Sequence, residues 1–290
     1  MRKGIHFLCG IKDGVTDFLK VVDHFAALGF DCVELPPEPF LEDNGSAARR
    51  IVGYAAERGV EIVFSCGFGA AYDMASDEPA IRRNGVRHME RILGVMDHAG
   101  IRLLCGTCQT KWPNMRIAPL SAAEKQSITS RTAEVFADAV STIESRGIDI
   151  AIEPLNRFEG FLINTAAEGA GFCELVGNPN VGLMLDNFHL SMEEDSFTGA
   201  VRTAGKRLKH LHLAENNRRL PGMGEFPWDD YFAALRDIGY AGRLDIESFM
   251  TPGGGVAASV ALWRSFTDAA EYELLRNALT FLREKERIYF

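Results

Sequence analysis

Apolar residues recur along the chain in two alternating rhythms. Val15, Phe18, Leu19, Val22, Phe25 and Ala26 fall three and four residues apart, which places them on one helical face. Gly29 follows where such a helix would stop, and the short apolar run Asp31-Cys32-Val33-Glu34-Leu35 comes next. The same succession predicts further strands near 4–9, 60–66, 101–105, 148–153, 181–186, 208–213 and 243–247. Helices fit between them near 46–58, 79–98, 121–146, 166–176, 196–205 and 228–238, and a last helical region runs from about 257 to 287.

Short, nearly continuous apolar strands such as Ile101-Arg102-Leu103-Leu104-Cys105 suit a parallel sheet covered by helices. Eight strand–helix units in 290 residues predict an α/β fold, a single (β/α)8 TIM barrel spanning 1–290. Length alone suggests two domains, but no linker or shift in composition marks a boundary. A doubly wound open sheet is the alternative. It is weakened because Gly4 and Gly10 do not form the Gly-rich phosphate turn expected after its first strand.

Composition narrows the function classes. The chain is 47% apolar and 24% charged, an ordinary globular balance that excludes disorder, collagen and coiled coil. A net charge of −9 with pI ≈ 5.4 disfavours phosphate backbones and anionic lipid, so neither nucleic acid nor a membrane is expected as partner. Six cysteines in a chain of this length make no disulfide framework. No run approaches the ~18 apolar residues of a membrane span. Lys12 and Asp13 interrupt the N-terminal apolar stretch too early for a signal peptide. The expected compartment is a reducing cytoplasm.

In a barrel of this kind the chemistry sits at the C-terminal ends of the strands. Strand five ends in Glu153, strand six in Asp186 and strand eight in Glu247, while strand seven carries His210 and His212. Four successive strands thus bring carboxylate, carboxylate, imidazole and carboxylate to one rim. An oxygen-rich set with one imidazole suits a hard or borderline divalent ion such as Mn²⁺ or Mg²⁺. Without a cation the crowded carboxylates would repel one another and take up protons. Period-two alternation puts His210 beneath His212 and Asp245 beneath Glu247, and it predicts a hydrogen bond between His210 and Asp245 one layer deeper. Glu159, His189, Glu215, Asn217 and Arg218 are further polar residues expected near this rim.

The runs Glu153-Pro154-Leu155-Asn156-Arg157-Phe158-Glu159, Asp186-Asn187-Phe188-His189, His210-Leu211-His212 through Glu215, Asn217 and Arg218, and Glu247-Ser248-Phe249 resemble the ketose 3-epimerases. These are the D-tagatose and D-psicose 3-epimerase group of the xylose-isomerase-like barrels. The resemblance is strongest from about 148 to 265. It implies one divalent ion, Mn²⁺ first with Co²⁺ or Mg²⁺ as substitutes, held by Glu153, Asp186, His212 and Glu247. It implies Glu153 and Glu247 as the acid/base pair, and Glu159, His189 and Arg218 as holders of the sugar's first carbons. The implied reaction is inversion at C3 of a free ketose through a cis-enediolate, in a homodimer or homotetramer.

The sequence departs from that family at the end of strand one, where His6 replaces the usual aromatic residue, and in the following loop, where 9–17 contain no aromatic residue. Glu34, at the end of strand two, fits either a role behind the ligands or an exposed position. Trp112, after strand four, fits either a cap on the pocket or simple packing. Cys105-Gly106-Thr107-Cys108 follows a strand and does not begin a helix, as a redox pair would. Pro252-Gly253-Gly254-Gly255 reads as a turn more readily than as a phosphate cradle. Two other enzyme readings remain open. One is an aldose–ketose or hydroxypyruvate-type isomerase on the same metal site, and the other is an abasic-site endonuclease, disfavoured by the net charge. The non-enzyme reading is a sugar-binding protein.

Overall fold

The ladder of eight parallel strands closes on itself. The computed structural model describes residues 1–9, 17–116, 118–252, 258–269 and 271–290. In it β1 (Arg2–His6) pairs with β2 (Cys32–Leu35), and the ladder continues through β3 (Glu61–Phe68), β4 (Leu103–Lys111), β5 (Asp149–Ile152), β6 (Val181–Asp186), β7 (Leu208–Leu213) and β8 (Arg243–Ile246). β8 pairs with β1 again, through Gly4 and Asp245 among others. The open-sheet alternative is thereby excluded.

Helices α1 (Phe18–Leu28), α2 (Ser46–Ala56), α3 (Pro79–Ala99), α4 (Ala122–Ala139), α5 (Ile143–Arg146), α6 (Ala166–Val176), α7 (Asn187–Glu193), α8 (Phe197–Ala204), α9 (Trp228–Asp237) and α10 (Glu271–Tyr289) surround the sheet. Asp17 caps α1 by accepting the N–H groups of Leu19 and Lys20, and Gly29 ends it at φ +96°. Val15 and Gly10, part of the sequence pattern there, lie outside the described residues. The helix expected over 121–146 is two helices, because α4 stops at Val140 and the chain turns before α5. The last helical region starts later than expected: turns and bends dominate 258–269 and α10 begins at Glu271. Gly253, Gly254 and Gly255 of the glycine run lie outside the described residues. No described helix is long and apolar enough to cross a membrane.

Most of the core lies between sheet and helices, with Phe25, Phe64, Phe136, Phe172 and Phe232 fully buried. A second cluster, Cys32, Val63, Leu103, Cys105, Ala151 and Met184, fills the lumen of the barrel. These side chains are mostly compact, and Gly4 is the extreme case: a Cβ there would sit 2.1 Å from Oδ1 of Asp245. β4 runs past its expected end at 105 because the β3–β4 register shifts after Gly67. Just before the shift, Gly106 has φ +107° and leaves only 2.4 Å between a Cβ and the Cys66 carbonyl oxygen, a place for glycine alone. Cys105 and Cys108 therefore lie within a strand and are fully buried. Burial pushes the Cys108 thiol up to about 12, far from a reactive thiolate.

Candidate active site

β5 and β8 each end one residue before the acid that follows, yet the ladder reaches it. The Glu153 N–H donates to the Gly106 carbonyl at 3.3 Å, and the Glu247 N–H to the Leu213 carbonyl at 3.3 Å. Asp186 closes β6 and caps α7, its Oδ1 accepting the Phe188 N–H at 2.8 Å. This cap explains a helix that the sequence pattern did not reveal. His212 pairs in register with Asp186 on one side and Asp245 on the other. One ligand atom from each of Glu153, Asp186, His212 and Glu247 lies within 4.8 Å of the others, close to what one ion with bonds of about 2 Å can span.

The electrostatics of this group suit a cation. Oε1 of Glu153 is buried and has no hydrogen-bond partner. Burial, reinforced by Glu247 and Asp186, pushes the Glu153 carboxyl well above its ordinary range. Burial pushes Asp186 up to about 6 despite the nearby guanidinium of Arg218. Glu247 goes the other way, because Arg218 and His212 together outweigh its burial. Burial lowers the affinity of His212 for protons, but Glu34 and Glu247 outweigh it and hold the imidazole well above its usual value. Three crowded carboxylates, one imidazole and an orphaned buried oxygen are a donor set that fits a hard or borderline divalent ion.

Arg218 donates to Oδ2 of Asp186 and Oε2 of Glu247. Its guanidinium lies 4.5 Å from the Phe188 ring centre and 5.4 Å from that of Phe249, so two aromatic faces hold it. His189 is almost fully buried, with Nδ1 facing the Asn156 side-chain amide at 2.8 Å and the Asn156 backbone N–H at 3.3 Å. Burial and Arg218 keep this ring neutral. Its remaining proton is therefore on Nε2, which points to Glu153 Oε1 at 3.6 Å and Asp186 Oδ2 at 3.9 Å. Asn156 also donates to Glu159 Oε1 at 2.8 Å, and Trp112 Nε1 donates to Glu159 Oε2 at 3.0 Å. Trp112 thus joins the site through Glu159 while packing over Gly67.

His6 sits at the same mouth. It is 7% exposed, its Nδ1 is 3.8 Å from Glu247 Oε1, and that nitrogen has no hydrogen-bond partner. Glu34, His210 and Asp245 lie deeper, all fully buried. The expected His210–Asp245 hydrogen bond is not made. His210 Nε2 is 3.6 Å from Asp245 Oδ2 but 2.6 Å from Glu34 Oε1, across the lumen. Neither oxygen of Asp245 has a partner, and burial with Glu34 nearby pushes its carboxyl well above the usual range.

Glu215 is not part of the rim. It is fully buried and accepts from the Gly222 and Phe226 N–H groups and from Trp228 Nε1, which ties down the loop after β7. Asn217 is exposed on that loop. Conversely, the sequence reading assigned no role to Asn156, Phe188 or Phe249. Asn156 could have been found from its place three residues before Glu159 in a turn; the two rings carry no pattern that separates them from core aromatics.

Known proteins share this fold across nearly the whole chain. The family model for the xylose isomerase-like TIM barrel matches residues 22–266. A D-psicose 3-epimerase of Ruminiclostridium cellulolyticum is 34% identical over 287 residues, covering 98% of this chain and 97% of its own. A D-psicose 3-epimerase of Agrobacterium fabrum is 34% identical, covering 98% of each chain. A crystal structure of a D-psicose 3-epimerase in the presence of D-fructose superimposes with a TM-score of 0.92 at 34% identity, over 98% of this chain and 99% of the other.

Proposed function

The chain belongs to the xylose isomerase-like TIM barrels and, within them, to the ketose 3-epimerases, which are sugar isomerases, and from that premise we propose that it inverts C3 of a free ketose with the help of one divalent ion. The observation that carries the reading is the convergence of Glu153 and Glu247 from strands three apart around a ring of eight. Epimerisation removes a proton from one face of a carbon and returns one to the other, so it needs a base on each side of the substrate. Glu153 serves the β5 side and Glu247 the β8 side. Loss of the C3 proton leaves a cis-enediolate. The Nε2–H of His189 and the guanidinium of Arg218 are the donors placed to hold its oxygens, and Glu159 is the acceptor for the terminal hydroxyl. Held by Glu153, Asp186, His212 and Glu247, an ion such as Mn²⁺ would supply the Lewis acidity that polarises the ketose carbonyl.

A phosphate would want several free donors. Arg218, the guanidinium of this cluster, is already engaged by Asp186 and Glu247. The test is to incubate the Mn²⁺ form with ketopentoses, ketohexoses and their phosphates in D₂O and follow the C3 proton by NMR. Deuterium should enter at C3 with inversion. Label at C1 alone would establish the aldose–ketose isomerase instead, and no exchange with any sugar bound would leave a sugar-binding protein. Faster turnover of a ketose phosphate than of every free ketose would overturn the unphosphorylated substrate.

A further inference from the structure

One buried acid has no part in the chemistry above. Glu34 is fully buried, and its backbone is locked in register with His6 of β1 and Val63 of β3. Two imidazoles address its carboxylate. His210 Nε2 lies 2.6 Å from Oε1, and His212 Nε2 lies 3.0 Å from Oε1 and 2.9 Å from Oε2. An ionised carboxylate only accepts, so both rings must present Nε2–H to it. The other nitrogen of His212, Nδ1, faces Oε2 of Glu247 at 3.0 Å and therefore faces the ligand cluster.

We propose that Glu34 is a positioning residue that presents His212 to the divalent ion: by accepting the Nε2–H it fixes the ring and leaves Nδ1 as the ligand nitrogen. An ion can displace only the Nδ1 proton, because the carboxylate retains the other. His210 holds Glu34 in turn, which gives a reason for a second histidine beneath the first. Carboxylate–imidazole–metal relays of this kind raise the basicity of the ligand and set its orientation. Glu34, His210 and His212, together with Cys105, also offer ligand atoms within 4.8 Å of one another, so direct ligation by Glu34 is the rival to be separated.

This inference rests on the metal site of the proposed function, and the test separates the two. Mn²⁺ affinity is measured by chelator competition for the wild type and for Glu34→Gln, whose amide keeps the shape but offers N–H to one imidazole. The dissociation constant should rise about 10–100-fold, with kcat at saturating Mn²⁺ falling far less. Unchanged affinity, even with a lowered unfolding midpoint of the metal-free protein, would reduce Glu34 to a packing role and overturn the proposal. A second bound equivalent in the wild type that Glu34→Gln removes would also overturn it, since Glu34 would then be a ligand itself. Should the variant fail to fold, ¹H–¹⁵N imidazole spectra of the Mg²⁺-loaded wild type decide: a proton on Nε2 of His212 and none on Nδ1 is expected, and the reverse refutes the proposal. A wild type that binds neither ion overturns both this inference and the metal site.

Discussion

At the N-terminal mouth of the barrel Arg2 and Arg243 both reach Glu61, and Lys209 reaches Asp149 at 2.7 Å, so every acid named there has a basic partner. At the C-terminal mouth Asp186 and Glu247 share Arg218, Glu247 also meets His212, and one oxygen of Glu153 has no hydrogen-bond partner. Both mouths use acids and bases on strand ends. The lower one gives each of these acids at least one base and is partly exposed, which holds strands together and asks for nothing further. The upper one is buried and left with excess negative charge, which is costly to the apo fold and is what a divalent cation complements.

That contrast can be broken by substitution at either mouth. Glu153→Gln and Glu247→Gln should each lower kcat for epimerisation by roughly two to four orders of magnitude, as expected for removal of a general base. Glu153→Gln should not lower the unfolding midpoint of the metal-free protein, because it removes an unpaired carboxylate from a crowded group, whereas Glu247→Gln should lower it, because Arg218 and His212 lose an acceptor; a clear drop for Glu153→Gln would mean that its corner of the upper mouth is structural like the lower. Glu61→Gln should do the opposite of Glu153→Gln. It should destabilise the fold by about 1 kcal/mol in urea titration while leaving kcat and Mn²⁺ affinity as they were. A loss of activity there would erase the division of labour.

The smallest effect concerns Glu286 of α10, which meets Lys3 of β1. Burial pushes this carboxyl up, but Lys3 and the Met1 amino group together outweigh it and hold the group below its usual 4.5. A folded-state value below the unfolded one contributes stability above the unfolded value and loses it as pH falls through the folded one. Glu286→Gln should therefore cost at most about 1 kcal/mol near neutral pH, and its gap from the wild type should close as the pH drops below 4.5. A gap that persists in acid would show that packing, not charge, joins α10 to the barrel.

Much of the site was legible because strand ends are legible. Runs such as Val181–Asp186 are apolar until the acid, and alternation says which side chains share a face. What alternation cannot say is which inward-facing groups meet. Asp245 is the near neighbour of His210 by strand order, yet the barrel's curvature brings Glu34 across the lumen to 2.6 Å and leaves Asp245 without a partner. Glu215 was misplaced for a related reason: a loop acid looks solvated until the chain folds back and gives it the Gly222, Phe226 and Trp228 donors.

By itself the sequence determined the number and order of the βα units and the acids that end them, because helix and strand periodicity, caps and stops act within a few residues. It settled Gly29 as a stop and eight as the number of strands. Only the tertiary structure decided the register shift after Gly67 that accompanies the run of β4 to Lys111, the aromatic grip on Arg218 and the pairing of two histidines on Glu34. Each of these depends on distances between strands or loops far apart in the chain, and closing the barrel sets those distances.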